Sequence, residues 1–302
     1  MRYRLTLTRT GLVDVLPINY ASELSAWVYR TLHTANPFYA AFLRQQGYSS
    51  DERAGQGFRF FTFSTLEVRH FKLLKQEDSL QLFSEEVQLE VSFLSDEAAI
   101  YFARGLAQDP VLRIANGLQP ILFQVRRMEG LTEPVFGQRM LYRTSSPLTV
   151  SVNRWHHGRL CQQYLAPTDP EFGPALARNL ARKYEALTGK KINIEGIRFE
   201  LLSEPKSRLV GLNVGTTAET KVRGFHCDFA LVAPPELHRI AWLAGLGEKN
   251  AQGFGCIRQL PADYELMRAA LREMQAPAPA RPVTKPAPAS YVPNRQVAAM
   301  AA

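Results

Sequence analysis

Cysteine is scarce in this chain: Cys161, Cys227 and Cys256 are the only three in 302 residues, far apart and odd in number. They support neither a disulfide framework nor a paired-cysteine metal motif, and they fit a reducing cytoplasm. Long apolar runs are missing too. No window approaches the roughly 18 apolar residues of a membrane-spanning helix. The N-terminal MRYRLTLTRT alternates polar and apolar residues where a signal segment would carry an apolar core. A mature, soluble, cytoplasmic protein with no membrane partner is expected. Negative charge is in deficit, with 28 Asp and Glu against 36 Lys and Arg, a formal charge of +8 and a pI near 9.5. That surplus suits a polyanion such as RNA, DNA or an anionic membrane surface. Hydrophobic residues make up 46% of the chain, enough for an ordinary core, and 302 residues make two domains the natural expectation.

The most distinctive stretch is LAGLGEKNAQGFGCI, Leu243 to Ile257. Gly245, Gly247, Gly253 and Gly255 bracket a polar centre that runs from Glu248 to Gln252. Glycine permits positive φ and close approach of the main chain, and successive exposed amides form a concavity suited to phosphate. Lys249 adds a charge there, and Asn250 belongs to the same candidate RNA-binding set. The spacing fits neither G-x-x-x-x-G-K-[ST] nor G-x-G-x-x-G, the two familiar nucleotide loops. Taken alone, the glycines read most simply as a tight turn before a strand.

Along the chain, Arg2 to Thr10 has the period of a half-buried strand, with Tyr3, Leu5 and Leu7 on the apolar face. Ala21 to His33 has helical spacing, capped by Ser22 or Asn19. Pro37 opens a second short helix ended by Gly47. Phe58 to Ser64, Ser79 to Phe93 and Leu118 to Val125 read as strands, with a helix over Ser95 to Ala107. This order is β-α-β-β-α-β. A second round starts near Ser146, with strands over Pro147 to Val152 and Arg159 to Leu165. An amphipathic helix covers Phe172 to Leu187, and Arg178, Arg182 and Lys183 read as solubilising residues along it. Strands follow over Gly196 to Leu202, Ser207 to Val214 and Val222 to Val232, then a helix through Leu243 and a last strand near Gly255 to Arg258. The expected architecture is α+β, with two tandem ferredoxin-like βαββαβ domains over residues 1–143 and 144–275. The Pro/Ala-rich composition of residues 276–302 predicts a flexible tail.

GLG, five residues, then GFG resembles the C-terminal signature of the CRISPR-associated endoribonucleases that cut repeat RNA, the sixth Cas family of the RAMP superfamily. FFTFSTL (Phe60 to Leu66), SPLTV (Ser146 to Val150) and YLAPTDPEFGPALARNLARKY (Tyr164 to Tyr184) resemble other landmarks of that family in the same order. The resemblance implies metal-independent cleavage of CRISPR repeat RNA with no cofactor. The ribose 2′-hydroxyl attacks the adjacent phosphate, which requires a group to orient the 2′-oxygen, an acid for the leaving oxygen and cations for the added charge. Tyr29 stands where the family often has a tyrosine. Arg44 or Gln45 stands at the usual histidine position and Arg59 at a usual lysine position, so the common Tyr-His-Lys set is not reproduced. His33, one helical turn from Tyr29, is the nearest imidazole; His70 and the pair His156-His157 are rivals. Lys206, Arg208, Lys221 and Arg223 cluster on paired strands, a hairpin able to present them to RNA. The implied partner is CRISPR repeat RNA, bound by a monomer or homodimer. The alternative is a cleavage-deficient RNA-binding subunit that works with other Cas effector subunits.

Overall fold

Arg2–Thr10 forms β1 (Arg2–Thr10), as its alternation predicts, but both of its faces are covered. Leu5 and Leu7 lie in the first hydrophobic core, while Arg2 and Thr6 on the opposite face are buried as well. A guanidinium taken out of water must find acceptors. Arg2 donates to the Ile257 carbonyl at 2.7 Å and the Trp242 carbonyl at 2.5 Å, and lies 4.1 Å over the Trp242 ring. Glu90 stands 3.6 Å away. The first strand is thereby tied to residues 240 and 255 positions later.

The structure, a computed structural model, describes residues 1–49, 57–115, 119–156, 158–212, 214, 217 and 219–275. Residues 1–261 make one compact unit. Its first half continues with β2 (Val15–Pro17), α1 (Ala21–Ala35), α2 (Pro37–Gln45), β3 (Phe61–Phe63), β4 (Glu67–Val68), β5 (Phe71–Leu74), β6 (Ser79–Leu82), β7 (Glu86–Phe93), α3 (Asp96–Gln108), β8 (Val111–Ile114) and β9 (Ile121–Leu131). The second half holds β10 (Arg139–Thr144), β11 (Ser151–His156), β12 (Arg159–Tyr164), α4 (Phe172–Thr188), β13 (Arg198–Leu201), β14 (Lys206–Leu212), β15 (Thr220–His226), β16 (Asp228–Val232), α5 (Pro235–Ala244) and β17 (Ile257–Gln259). The main sheets run β3-β7-β1-β9-β8 and β13-β16-β10-β17, with every pairing antiparallel. Each sheet sets the second, third, first and fourth strands of a βαββαβ unit side by side, so two ferredoxin-like domains stand in tandem. A second unit begins at Ala262 and holds α6 (Tyr264–Gln275); the tail expected over residues 276–302 lies outside the described residues. Among the described residues no helix is long and apolar enough to cross a membrane.

Several local expectations give way to tertiary context. The strand expected from Phe58 begins only at Phe61, because Phe60 takes a left-handed φ of 50° and turns the chain. The run from Ser79 to Phe93 divides, since β6 pairs with β2 and β5 in a small separate sheet while β7 joins the main one. The second sheet opens at Arg139, ahead of the break expected after residue 143. Its charged side chains hide the strand pattern: Arg139 pairs with Glu200 at 2.9 Å and Arg143 with Asp228 at 2.6 Å. The strand expected from Pro147 begins only at Ser151 and pairs with β12 as the hairpin β11–β12 outside both main sheets, while Leu148 forms an isolated bridge to Phe225. Neither expected cap serves α1; Asn19 instead accepts the Gly211 amide at 3.4 Å.

Removing the Arg2 guanidinium should loosen this joint. Arg2→Met strands two buried carbonyls at about 1–3 kcal/mol each, so the urea midpoint should fall with the slope unchanged. A midpoint equal to that of the wild type would show that the two halves hold together without it.

Candidate functional site: a basic cleft against the glycine loop

A cleft of about 530 Å³ opens between the first domain and the glycine loop, lined by Tyr29, Arg44, Arg59, Asn179, Arg182 and the loop from Gly247 to Gln252. Tyr29 lies on α1 and packs edge-on against Phe61, with ring centres 5.3 Å apart. Arg44 ends α2, a helix started by Pro37 and by the Asn36 side chain, which accepts the Tyr39 amide at 3.0 Å. Its guanidinium sits 5.3 Å over the Tyr29 ring. Arg59 donates to the carbonyls of Arg44 at 3.0 Å, Gln46 at 3.2 Å and Gly57, so its donors hold the end of α2 in place. Burial pushes the Tyr29 hydroxyl above its ordinary range, opposed by the charge and hydrogen bond of Arg59 and by Arg44. A raised phenol stays protonated at neutral pH, which makes it a donor and not a base.

The four glycines of the loop all have positive φ, and internal packing requires glycine at two of them. A β-carbon on Gly255 would collide with the Leu246 carbonyl, and one on Gly247 with the Thr149 carbonyl. Several loop amides are consumed inside the fold: Leu246 donates to Gly255, Gly255 to Pro147 and Glu248 to Thr149. The amides of Gly247, Lys249, Asn250 and Ala251 make none of these bonds, and all four residues line the cleft. Asn250 is not open to a ligand through its side chain. Its Nδ2 donates to the carbonyls of Leu246 and Phe254 at 3.1 Å, and its Oδ1 accepts from Lys183 at 2.6 Å.

Lys183 is the residue that the sequence concealed. Read as a solubilising residue on α4, it is instead 1% exposed. Its ammonium donates to the Gly245 carbonyl at 2.6 Å and the Gly247 carbonyl at 2.8 Å as well as to Asn250. Burial pulls its pKa down to about 7, opposed by the nearby Glu248 carboxylate. Position 183 falls on the stripe Leu176, Leu180, which faces the core, and that spacing was the available signal. Asn179 was missed as well: its Oδ1 is buried at the cleft and has no donor among the described residues. Glu248 accepts from the Ser151 amide and hydroxyl at 3.0 and 2.8 Å, which ties the loop to β11.

The structure brings together Tyr29, Arg44, Arg59, Gly247, Lys249 and Asn250, and leaves the other candidates elsewhere. His33 is exposed in the last turn of α1 and does not line the cleft. No histidine does, among the described residues. His70 borders a separate hollow with Glu67 and Glu86, and His157 lies outside the described residues. Lys206, Arg208, Lys221 and Arg223 share the hairpin β14–β15 but not one face. Register puts Lys206 and Arg208 with Val210, and Lys221 and Arg223 on the opposite side. Arg208 donates to the Ile18 carbonyl at 3.3 Å. None of the four lines the cleft. No group of His, Cys, Asp and Glu among the described residues is arranged to hold a metal ion.

Comparison with known proteins matches residues 15–127 to the family model "CRISPR-associated protein Cas6, N-terminal" and residues 131–259 to "CRISPR associated protein Cas6, C-terminal". The chain is 28% identical over 258 residues to the CRISPR-associated endoribonuclease Cas6 1 of Methanocaldococcus jannaschii, covering 85% of this chain and 92% of that one. A solved structure of a CRISPR associated protein Cas6 superposes with a TM-score of 0.66 at 27% identity, over 86% of this chain and 99% of that one. The product of a Cas6-related gene from Pyrococcus furiosus shares the fold at 20% identity, with a TM-score of 0.74 over 87% and 99% of the two chains.

Lys183→Met should unseat the loop, since it leaves three buried acceptors without a donor at about 1–3 kcal/mol each. The lysine also has a pH signature. Its folded value of about 7 lies below the ordinary 10.5, so between those limits the unfolded chain binds the extra proton. Its contribution to stability is therefore fullest above that window and is lost as pH falls through about 7. Melting temperatures of wild type and Lys183→Met across this range should diverge as pH rises; parallel curves would remove Lys183 as the titrating group.

Proposed function

The chain belongs to the Cas6 family of CRISPR-associated proteins, and from that premise we propose that it is an endoribonuclease that cuts CRISPR repeat RNA into guide units. The observation that carries this reading is the cleft, where Tyr29, the guanidiniums of Arg44, Arg59 and Arg182, and Lys249 surround backbone amides of the glycine loop. In this reading the 2′-hydroxyl attacks the neighbouring phosphate without a metal, leaving a 2′,3′-cyclic phosphate and a 5′-hydroxyl. Tyr29, kept protonated by burial, orients the reacting oxygens as a donor. Arg44, Arg182 and Lys249 meet the negative charge that develops on the non-bridging phosphate oxygens, a role worth most where donors are fixed in advance. Arg59, its donors engaged by carbonyls, positions Arg44. The exposed Lys206, Lys221 and Arg223 extend the RNA path outside the cleft. Two of the three free cysteines are buried, which suits work in the cytoplasm. No imidazole among the described residues lines the cleft, which favours one other reading, an RNA-binding Cas subunit that does not cut.

Incubation of the cognate repeat with the protein in EDTA should yield a product ending in a cyclic phosphate. Arg44→Ala should slow single-turnover cleavage by about 10²–10³, the usual cost of one transition-state donor, while His33→Ala should cut at nearly the wild-type rate. Tight, salt-sensitive binding without any product would select the non-cutting subunit. A hundredfold loss in His33→Ala would return the imidazole to the reaction and sink the arginine assignment.

A further inference from the structure

Hairpin β11–β12 belongs to neither main sheet, and its described side chains from Asn153 to Gln163 are all exposed. At its outer end stands Trp155, 75% exposed, directly opposite Leu160 at 56%. The other two tryptophans, Trp27 and Trp242, are 1% and 4% exposed. An indole held in water on a two-stranded ribbon adds nothing to either core, and its large flat face is available to a partner.

The base of the ribbon shows where that partner lies. Ser151 is gripped by the Glu248 carboxylate, and Glu248 lines the basic cleft. Side chains alternate along a strand, so Ser151, Asn153 and Trp155 share a face, the one that Glu248 touches. Four residues at about 3.3 Å each put Trp155 on the order of 13 Å beyond the loop. The charge on that side is positive. Arg44, Arg182 and Lys249 line the cleft, and its one carboxylate is turned onto Ser151. Arg159 on β12 pairs with His156 and so stands on the other face of the ribbon from Trp155 and Leu160, as does Arg154, which is paired with Glu171 at 2.9 Å. A flat aromatic at the end of a cationic track fits an unpaired nucleobase, because every base offers a π-face while the backbone follows the charge.

We propose that Trp155 is a stacking platform for a base of the RNA strand as it leaves the cleft, making hairpin β11–β12 part of the substrate-binding surface. This rests on the reading of the cleft as an RNA site. Trp155 acts here as a binding residue that sets substrate affinity and register, not as a participant in the chemistry.

The test uses the full chain and the cognate repeat RNA, with 2′-deoxy sugar at the mapped cleavage position. Because Trp155 is the one exposed tryptophan, its emission is isolated as the difference between wild type and Trp155→Phe. Added RNA should quench that emission and shield it from acrylamide. Anisotropy of labelled RNA should show Trp155→Ala weakened about 5- to 150-fold, the equivalent of one stacked base, with Trp155→Phe close to wild type. The melting temperature should hardly change in either variant. Wild-type RNA binding with unchanged Trp155 emission, unchanged acrylamide access and equal affinity of Trp155→Ala would overturn the platform and leave the cleft reading standing. Shielding of Trp155 by protein concentration alone would assign the surface to a second copy of the chain and likewise overturn it. Absence of RNA binding by the wild type would fell the cleft reading itself.

Discussion

The site depends on one buried cation. Lys183 sits inside the fold with three acceptors around it, two glycine carbonyls and the Asn250 amide oxygen, at 2.6–2.8 Å. Three acceptors match the three donors of an ammonium, the arrangement that makes such burial tolerable. By drawing those carbonyls inward, the lysine holds the two peptides whose amides, those of Leu246 and Glu248, donate to Gly255 and Thr149. The amides of Gly247, Lys249 and Asn250 make none of these internal bonds, and the three residues line the cleft. The glycines permit this path and the lysine selects it.

A second buried cation does comparable work between the domains. Arg2 joins β1 of the first sheet to the end of α5 and to β17, the two elements that flank the glycine loop. Thr62 on β3 adds a bond to the Phe254 carbonyl at 3.2 Å. The loop is thus held from the first domain by Arg2 and Thr62 and from the second by Lys183. Loops on functional surfaces are commonly the mobile part of a fold. Here the loop is pinned by hydrogen bonds from three different elements, which gives the preorganisation that charge stabilisation in a reaction requires.

Local patterns made the elements legible and long-range pairs made the site. The periods of 3.6 and 2 were readable in Ala21 to His33 and Arg2 to Thr10 because the core imposes them on the sequence. Strand β10 was not readable, since its Arg139 and Arg143 meet partners 61 and 85 residues away and so look like surface charge. Lys183 was hidden for the same reason: its acceptors lie 62–67 residues on, and lysine is rarely buried. The glycine spacing was recognisable, but the close approach of the Leu246 and Thr149 carbonyls to Gly255 and Gly247, which also demands glycine there, was not. His33 was singled out by adjacency to Tyr29 along one helix, whereas the cleft selects by direction, and α1 presents Tyr29 but not His33 to it.

Charge balance explains why such a cleft would stay unfilled by protein. Arg44, Arg59, Arg182 and Lys249 converge on it, and the single carboxylate, Glu248, is committed to Ser151. Like charges gathered this closely repel one another, and water alone screens them incompletely within the roughly 8–10 Å over which salt acts. The two buried basic side chains are solvated mainly by carbonyl oxygens, with Glu90 3.6 Å from Arg2 and Glu248 near Lys183. Had Lys183 been paired with a second acid beside the loop, that acid would have lowered the positive potential where a phosphate must sit. Solvation by backbone carbonyls keeps the loop in place and leaves the field of the cleft undiminished for a polyanion.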